Sequence, residues 1–518
     1  MTGRLAVWYA RQQGGTPMHK RPRVLGGTGR TPLHRVGRML LLITLGLALT
    51  AIPARGQPDP ASTDEISDAT LTAAVRQRLA NDYGVLAGEI DVSTTSGIVT
   101  LAGAVDHILA RQRAVELTGT LRGVRGVIDR LRVEPVSRTD EEIRTDVEVA
   151  LRLNPAVSFD DLEVEVQSAV VTLRGELESL AMQQAAARAV YGVRGVRDLI
   201  DRTSLEAIAP RSDAELRDEI QQRLRADARV RADRITVAVR DRNVTLRGVV
   251  GCPAERQAAA RAAAVLGVRQ IDADSLVADW ERCQLLRADL QERIVELGDR
   301  EIAEAVRLAL ELDPRVDPVG IQVEVSDHVA TLTGSVATMG AAEAAEEDAR
   351  HTTGVWSVRS HLLVRPESVP PDGRLEAEIH AALQRNPYVA ADSISVVVNS
   401  GRTYLFGAVD NAFTEAEILR VVGEVPGVIV VSNNLTLGRD ARQKSDRQLR
   451  HDVRNEIWWT PMVDADEVIV EVRDGIVTLL GDVDSATERR EAAAATRRAG
   501  ARVVINRLKI NGEIVLPG

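Results

Sequence analysis

A five-residue stretch returns six times along this chain at nearly constant spacing, and no other feature limits the fold as strongly. The copies are Val99-Thr100-Leu101-Ala102-Gly103, Val171-Thr172-Leu173-Arg174-Gly175, Val244-Thr245-Leu246-Arg247-Gly248, Ala330-Thr331-Leu332-Thr333-Gly334, Thr403-Tyr404-Leu405-Phe406-Gly407 and Val477-Thr478-Leu479-Leu480-Gly481. Their glycines lie 72, 73, 86, 73 and 74 residues apart. A fixed period means that one module has been copied in tandem. Val or Leu follows two residues after each glycine, at Val105, Leu177, Val250, Val336, Val409 and Val483, which continues the alternation of a half-buried strand. A glycine inside such a strand marks a bulge or a close backbone approach, here expected to admit the crossing helix.

Each copy reads in the same order. An apolar stripe with four-residue spacing predicts a first helix: Leu71, Val75 and Leu79; Ile143, Val147 and Leu151; Leu216, Ile220 and Leu224; Ile302, Val306 and Leu310; Leu375, Ile379 and Leu383; Leu449, Val453 and Ile457. Thr139 with Glu142 and Ser212 with Glu215 have capping-box spacing, and Asn154-Pro155 ends a helix. Alternating Ile and Val, as in Ile235, Val237 and Val239, predict a strand that turns back into the recurring stretch as a hairpin. An alanine-containing second helix follows. Gly123-Val124, Gly192-Val193, Gly267-Val268, Gly354-Val355 and Gly427-Val428 stop it before a last strand, and Gly500-Ala501 stands there in the final copy.

The expected fold is therefore α+β, with six tandem αββαβ modules. Each is a three-stranded mixed sheet with two helices on one face, which buries all the apolar stripes together. The modules are expected at 67–135, 139–205, 212–279, 298–366, 372–438 and 445–511, with a helical spacer at 280–297. A chain of 518 residues is too long for one core, whereas each module is near the lower limit for independent stability. Aromatic residues make up only 3% of the chain, so packing between modules is expected to add to small aliphatic cores.

The amino-terminal 56 residues form a signal-peptide pattern: basic residues up to Arg38, an apolar run from Met39 to Ile52, then the small residues Ala54 and Gly56. Cleavage is expected after Gly56, with Ala54 as the second choice. The run is shorter than the ~20 residues of a membrane-spanning helix. Residues 57–66 read as a flexible lead-in. The leader carries nine Arg or Lys and no acidic residue, so its removal takes the net charge from −10 to −19. That acidity opposes nucleic-acid binding.

Taken together, the helix stripe, the Ile-x-Val-x-Val strand, the hairpin Asp474-Gly475-Ile476-Val477-Thr478-Leu479-Leu480-Gly481-Asp482-Val483 and the Gly-Val-x-x-Val of Gly192 to Val196 resemble the BON domain, named for bacterial OsmY and nodulation. The resemblance covers nearly everything from Ser67 to Asn511. It implies a non-enzymatic bacterial envelope protein, periplasmic or peripheral on the outer membrane, that contacts phospholipid or envelope proteins and helps maintain the envelope under osmotic stress. The family has no shared catalytic residues to carry over. Relatives with one to three copies are usual, so six favour multivalent binding, since linked weak sites gain from effective concentration. The alternative is a scaffold or chaperone-like protein that binds other polypeptides or self-associates through strand edges.

No catalytic, cofactor or metal site is expected. The eight histidines lack ligand spacing, and acidic runs such as Glu346-Glu347-Asp348 read as solvated helix faces. Cys252 and Cys283 follow the second and third strands of module 3. Parallel strands would bring them to one end of the sheet, where an oxidising compartment favours a bridge; two separate thiols are the other reading. Trp458-Trp459 either lies at a bilayer interface or, as is more usual, puts one ring in a core and the other over it.

Overall fold

The computed structural model describes residues 66–514 apart from 86, 158, 160–161, 206–210, 281–296, 438–443, 502 and 511. The leader, most of the spacer and Cys283 lie outside the described residues. Glu65–Gly518 form one compact unit.

Six αββαβ modules fill it. In module 1 the order is helix Asp68–Asn81, strands Ile90–Thr95 and Ile98–Val105, helix Ile108–Gly119 and strand Gly126–Val133. The strand of the recurring stretch is central, antiparallel to the first and parallel to the last, and the same register returns in every module. All six first-helix stripes are buried. Val99 and Leu101, or Val477 and Leu479, meet them from the sheet, each fully buried, and the second helix closes the same core through Ala110 and Ala114 or Ala492 and Ala495. Strand alternation thus sends one set of side chains under both helices and leaves the other set on an uncovered face.

The two Thr/Ser–Glu capping boxes form as the spacing predicts. All six hairpins turn through two residues at positive φ, from Ser96-Gly97 to Asp474-Gly475. This is the backbone that matches strand twist in a two-residue hairpin. In three of them both residues are non-glycine: Ser168-Ala169, Asp241-Arg242 and Asp327-His328. What holds them is the aspartate that opens the first helix. The backbone N–H groups of Ser168 and Ala169 each donate to Asp140 at 2.8 Å, and Asp68, Asp213, Asp299 and Asp446 hold both turn amides in the same way. These bonds keep the Asp140 carboxyl below its ordinary range, chiefly through the Ala169 and Ser168 amides.

Three expectations need correction. The strand glycines make room for the neighbouring strand, not for the helix. Gly103, Gly248, Gly334, Gly407 and Gly481 have φ between 116° and 144°, and a Cβ on any of them would collide with the carbonyl oxygen just before the first strand, such as Glu89 or Glu467. Gly175 shares the conformation at φ 137°. Second, Gly192 is not the counterpart of Gly123. It caps its helix at an ordinary φ of −72°, whereas Gly195 takes the left-handed conformation at 94°. The identical Gly-Val-Arg-Gly-Val of modules 1 and 2 is therefore offset by one helical turn between them. Third, the last strands of modules 3 and 6 are interrupted. Gln270–Asp272 and Leu276–Ala278 pair separately with one partner, and Val503–Asn506 is followed by Lys509–Ile510, on which Glu513–Ile514 adds a further short strand.

Candidate functional site

Two kinds of surface distinguish one module from another: the seams where helix ends meet, and the uncovered sheet faces. The seams reuse one contact. The turn after a second helix donates a backbone N–H to the end of a first helix in another module. Arg122 donates to Trp459 at 3.0 Å, Arg194 to Arg385 at 2.7 Å and Thr353 to Ala226 at 2.7 Å, which joins modules 1 and 6, 2 and 5, and 4 and 3. Between modules 3 and 4 Ala228 returns a bond to His351 at 2.9 Å, making a short antiparallel bridge. The equivalent positions in modules 5 and 6 are Pro387 and Pro461. Proline has no N–H, so those seams keep a single strand-like bond.

Side chains reinforce the seams. Arg194 also donates to the carbonyls of Asn386 and Val389, and Arg122 to that of Val463 at 3.2 Å, while its guanidinium lies over the Trp280 and Trp458 rings at 4.5 and 5.1 Å. Arg78 of module 1 meets Glu456 of module 6 at 2.9 Å, with both side chains buried; burial lowers the arginine pKa to about 10 against the opposing pull of Glu456. Trp459 is 6% exposed and belongs to the core of module 1, not of its own module. That placement removes Trp459 from any bilayer-facing surface. Trp458, 40% exposed, stands edge-on to it with ring centroids 4.7 Å apart.

The uncovered faces differ in chemistry. In module 6 the register sets Ile469 opposite Leu480, Ile476 beside Val503 and Thr478 beside Ile505, all on the face away from the helices. Ile469, Ile476, Val503 and Ile505 are exposed there. Module 5 presents Val397, Phe406 and Val430, also exposed. The corresponding face of module 2 carries Glu163, Glu165, Arg174, Glu176 and Arg202, with Arg174 bonded to Glu165 at 2.7 Å, and among the described residues only Ile200 as a large exposed apolar side chain.

Among the described residues Cys252 is a buried thiol without a disulfide partner, at the N-cap of its helix, and burial pushes it up to about 12. Its suggested partner lies outside the described residues. Among the described residues no group of three or more His, Cys, Asp or Glu could hold a metal ion, and no helix is long and apolar enough to cross a membrane.

The turn-holding aspartates and the seam arginines were not singled out from the sequence. The aspartates had a signal: Asp68, Asp140, Asp213, Asp299, Asp372 and Asp446 stand at one position in every repeat. Arg122 and Arg194 had none, because the carbonyls their side chains reach are 192 to 341 residues away.

Residues 67–135, 139–207, 212–278, 298–366, 371–439 and 445–512 each match the BON domain family. Over 165 residues the chain is 27% identical to the osmotically-inducible protein Y of Escherichia coli K12, which covers 29% of this chain and 82% of that protein. Among solved structures it is similar to CdsD, a structural protein of the type III secretion system of Chlamydia trachomatis, at 9% identity and a TM-score of 0.12, covering 59% of this chain and all of that one. The CdsD C-terminal domain matches at 13% identity and the same score, over 40% of this chain and 96% of that one. At those scores they inform neither the arrangement nor the function here. By its six matched segments the chain belongs to the BON domain family.

Proposed function

We propose that this chain is an exported protein of the bacterial cell envelope that works by binding and not by catalysis, and that it holds phospholipid surfaces through the uncovered sheet faces of modules 5 and 6. The carrying observation is the clustering of Ile469, Ile476, Val503 and Ile505 on one open face, where solvation is least favourable. Family membership and the likeness to an osmotically inducible protein support a place in the periplasm and a role in maintaining the envelope under osmotic stress. Removal of the leader at Gly56 belongs to the same reading. So does the tandem arrangement, in which several weak contacts to one surface reinforce each other.

With a net charge of −19 after the leader, adsorption to anionic lipid by charge alone is disfavoured. The contact is apolar and persists in salt. The test is flotation of the mature protein with vesicles of phosphatidylethanolamine and phosphatidylglycerol, at low salt and at 0.5 M NaCl. Flotation at both, lost in the Ile469→Asp/Ile505→Asp variant, is expected. Failure to float with any composition, together with capture of defined polypeptides, would overturn the lipid reading in favour of a scaffold or chaperone-like protein.

A further inference from the structure

The junction of modules 2, 3 and 4 forms an open cleft of about 420 Å³. That is within the range of small-molecule sites, which run from about 300 to 1,000 Å³. Helices line it, so it lies on the opposite side of each module from the open sheet faces. Five arginines reach its wall, from three modules: Arg188, Arg223, Arg229, Arg261 and Arg315.

Three of the five have carboxylate partners. Arg229 is bonded to Asp227 at 2.7 Å, Arg315 to Asp313 at 2.6 Å, and Arg223 to Glu219 at 3.1 Å. The guanidinium groups of Arg188 and Arg261 make no hydrogen bond and no direct ion pair among the described residues. Both side chains remain accessible to solvent within the cleft. They are nonetheless surrounded by enough protein that burial depresses each pKa, and neighbouring guanidinium groups add to this, Arg315 for Arg188 and Arg229 and Arg188 for Arg261, against the opposing pull of Asp313, Glu347 and Glu424 on the first and of Asp227 and Glu116 on the second.

The remaining lining offsets them only in part. Burial and the adjacent Asp313 push the Asp348 carboxyl up to about 8, and burial lowers the His351 imidazole to about 3, so both are chiefly uncharged at neutral pH. Glu347, 3.4 Å from Arg315, is the one further acid of the wall. Two guanidinium groups without a direct ion pair face one cleft beside three more, so that five arginines line it against the four acids Asp227, Asp313, Glu347 and Asp348 in a protein that is acidic as a whole. Like charges held this close in a concave site are stabilised when an anion enters, and planar guanidinium groups suit phosphate oxygens.

We propose that this cleft is a binding site for a small phosphate-bearing anion, clamped between Arg188 of module 2 and Arg261 of module 3. Besides the arginines the wall offers the side-chain amide of Gln184, which suits a hydroxylated body attached to the phosphate. Because its walls come from separate modules, occupancy would also tighten their junction, by the linkage of binding to stability.

The experiment titrates the full mature chain with pyrophosphate, inorganic phosphate and glycerol 3-phosphate by calorimetry in a chloride-poor buffer, and follows the melting temperature with each. Saturable binding with a rise in melting temperature is expected, weakened at least about tenfold in the Arg188→Gln/Arg261→Gln variant. The melting temperature of that variant without ligand, compared with the parent, separates loss of binding from loss of fold. Glu347→Gln removes one acid from the wall, leaves Arg315 on Asp313, and should bind more tightly. Vesicles of phosphatidic acid form the second arm. If they compete with pyrophosphate and require the same two arginines, the phosphate is a lipid headgroup; if they do not compete, it is a soluble phosphate. Absence of saturable binding by any of these probes, or binding unchanged in the folded double variant, overturns the proposal. The flotation result for the module 6 face is independent of either outcome.

Discussion

Modules 2 and 6 have the same element order and the same register between strands, yet they turn opposite chemistries to the outside. Under the helices, Val171 and Leu173 of one correspond to Val477 and Leu479 of the other, all buried to within 1%. On the open face Arg174 and Glu176 correspond to Leu480 and Asp482, and Glu163 to Ile469. The fold needs only the inner set, because that set alone is removed from water and stabilises in proportion to the apolar area it buries. The outer set is free to diversify, so the copies of one repeat differ in the chemistry of their open faces without changing fold.

The largest effect should come from an attack on the shared part. Leu479→Ala empties a fully buried position in module 6 and should cost about 2–5 kcal/mol, and Leu173→Ala should cost module 2 the same, read as loss of hydrogen-exchange protection within each module. If module 2 tolerated the change, the two cores would not be equivalent. Trp459→Ala strikes a feature that module 6 has and its neighbour module 5 lacks, since Arg385 occupies that position there. It should cost about 3–5 kcal/mol, registered in the protection of module 1 as well as of module 6, because the ring is part of the module 1 core. Ala228→Pro removes the second bond of the seam between modules 3 and 4 and makes it like the other two. A loss of about 1 kcal/mol in thermal unfolding is expected.

A subtler contrast concerns pH. The His351 imidazole is held neutral in that same seam, with its folded pKa at about 3 against an ordinary value of 6.5. Its contribution to stability is therefore complete above pH 6.5 and is lost as pH falls towards 3. Asp348, raised from 3.8 to about 8, acts the other way, since its contribution declines as pH rises across that interval. Comparing the parent with His351→Gln isolates the first effect: the variant should show a shallower loss of stability between pH 6.5 and 4. The smallest effect on folding should come from the open face. Ile469→Asp and Ile505→Asp in module 6 should change stability by no more than about 0.5 kcal/mol, while deciding whether the protein floats with vesicles.

The repeat, the fold of each module and the family were legible in the sequence because they depend on local periodicity: a stripe every four residues, alternation every two, and turns at fixed places. Cores built from Leu71, Val75 and Leu79, or from Leu449, Val453 and Ile457, follow from that pattern directly. Other features required coordinates. The glycine of the central strand was legible as a close approach, but which chain approaches it was decided by the neighbouring strand. The pairing of Gly123 with Gly195 and not with Gly192 depends on where each helix ends, and the repeated Gly-Val-Arg-Gly-Val obscures this. The burial of Trp459 in module 1 and the convergence of Arg188, Arg261 and Asp348 on one cleft join residues far apart in the chain. Periodicity specifies what a segment does with its own neighbours. Contacts between modules arise from the shape of surfaces already folded, so only the tertiary structure determined where the cleft and the seams would be.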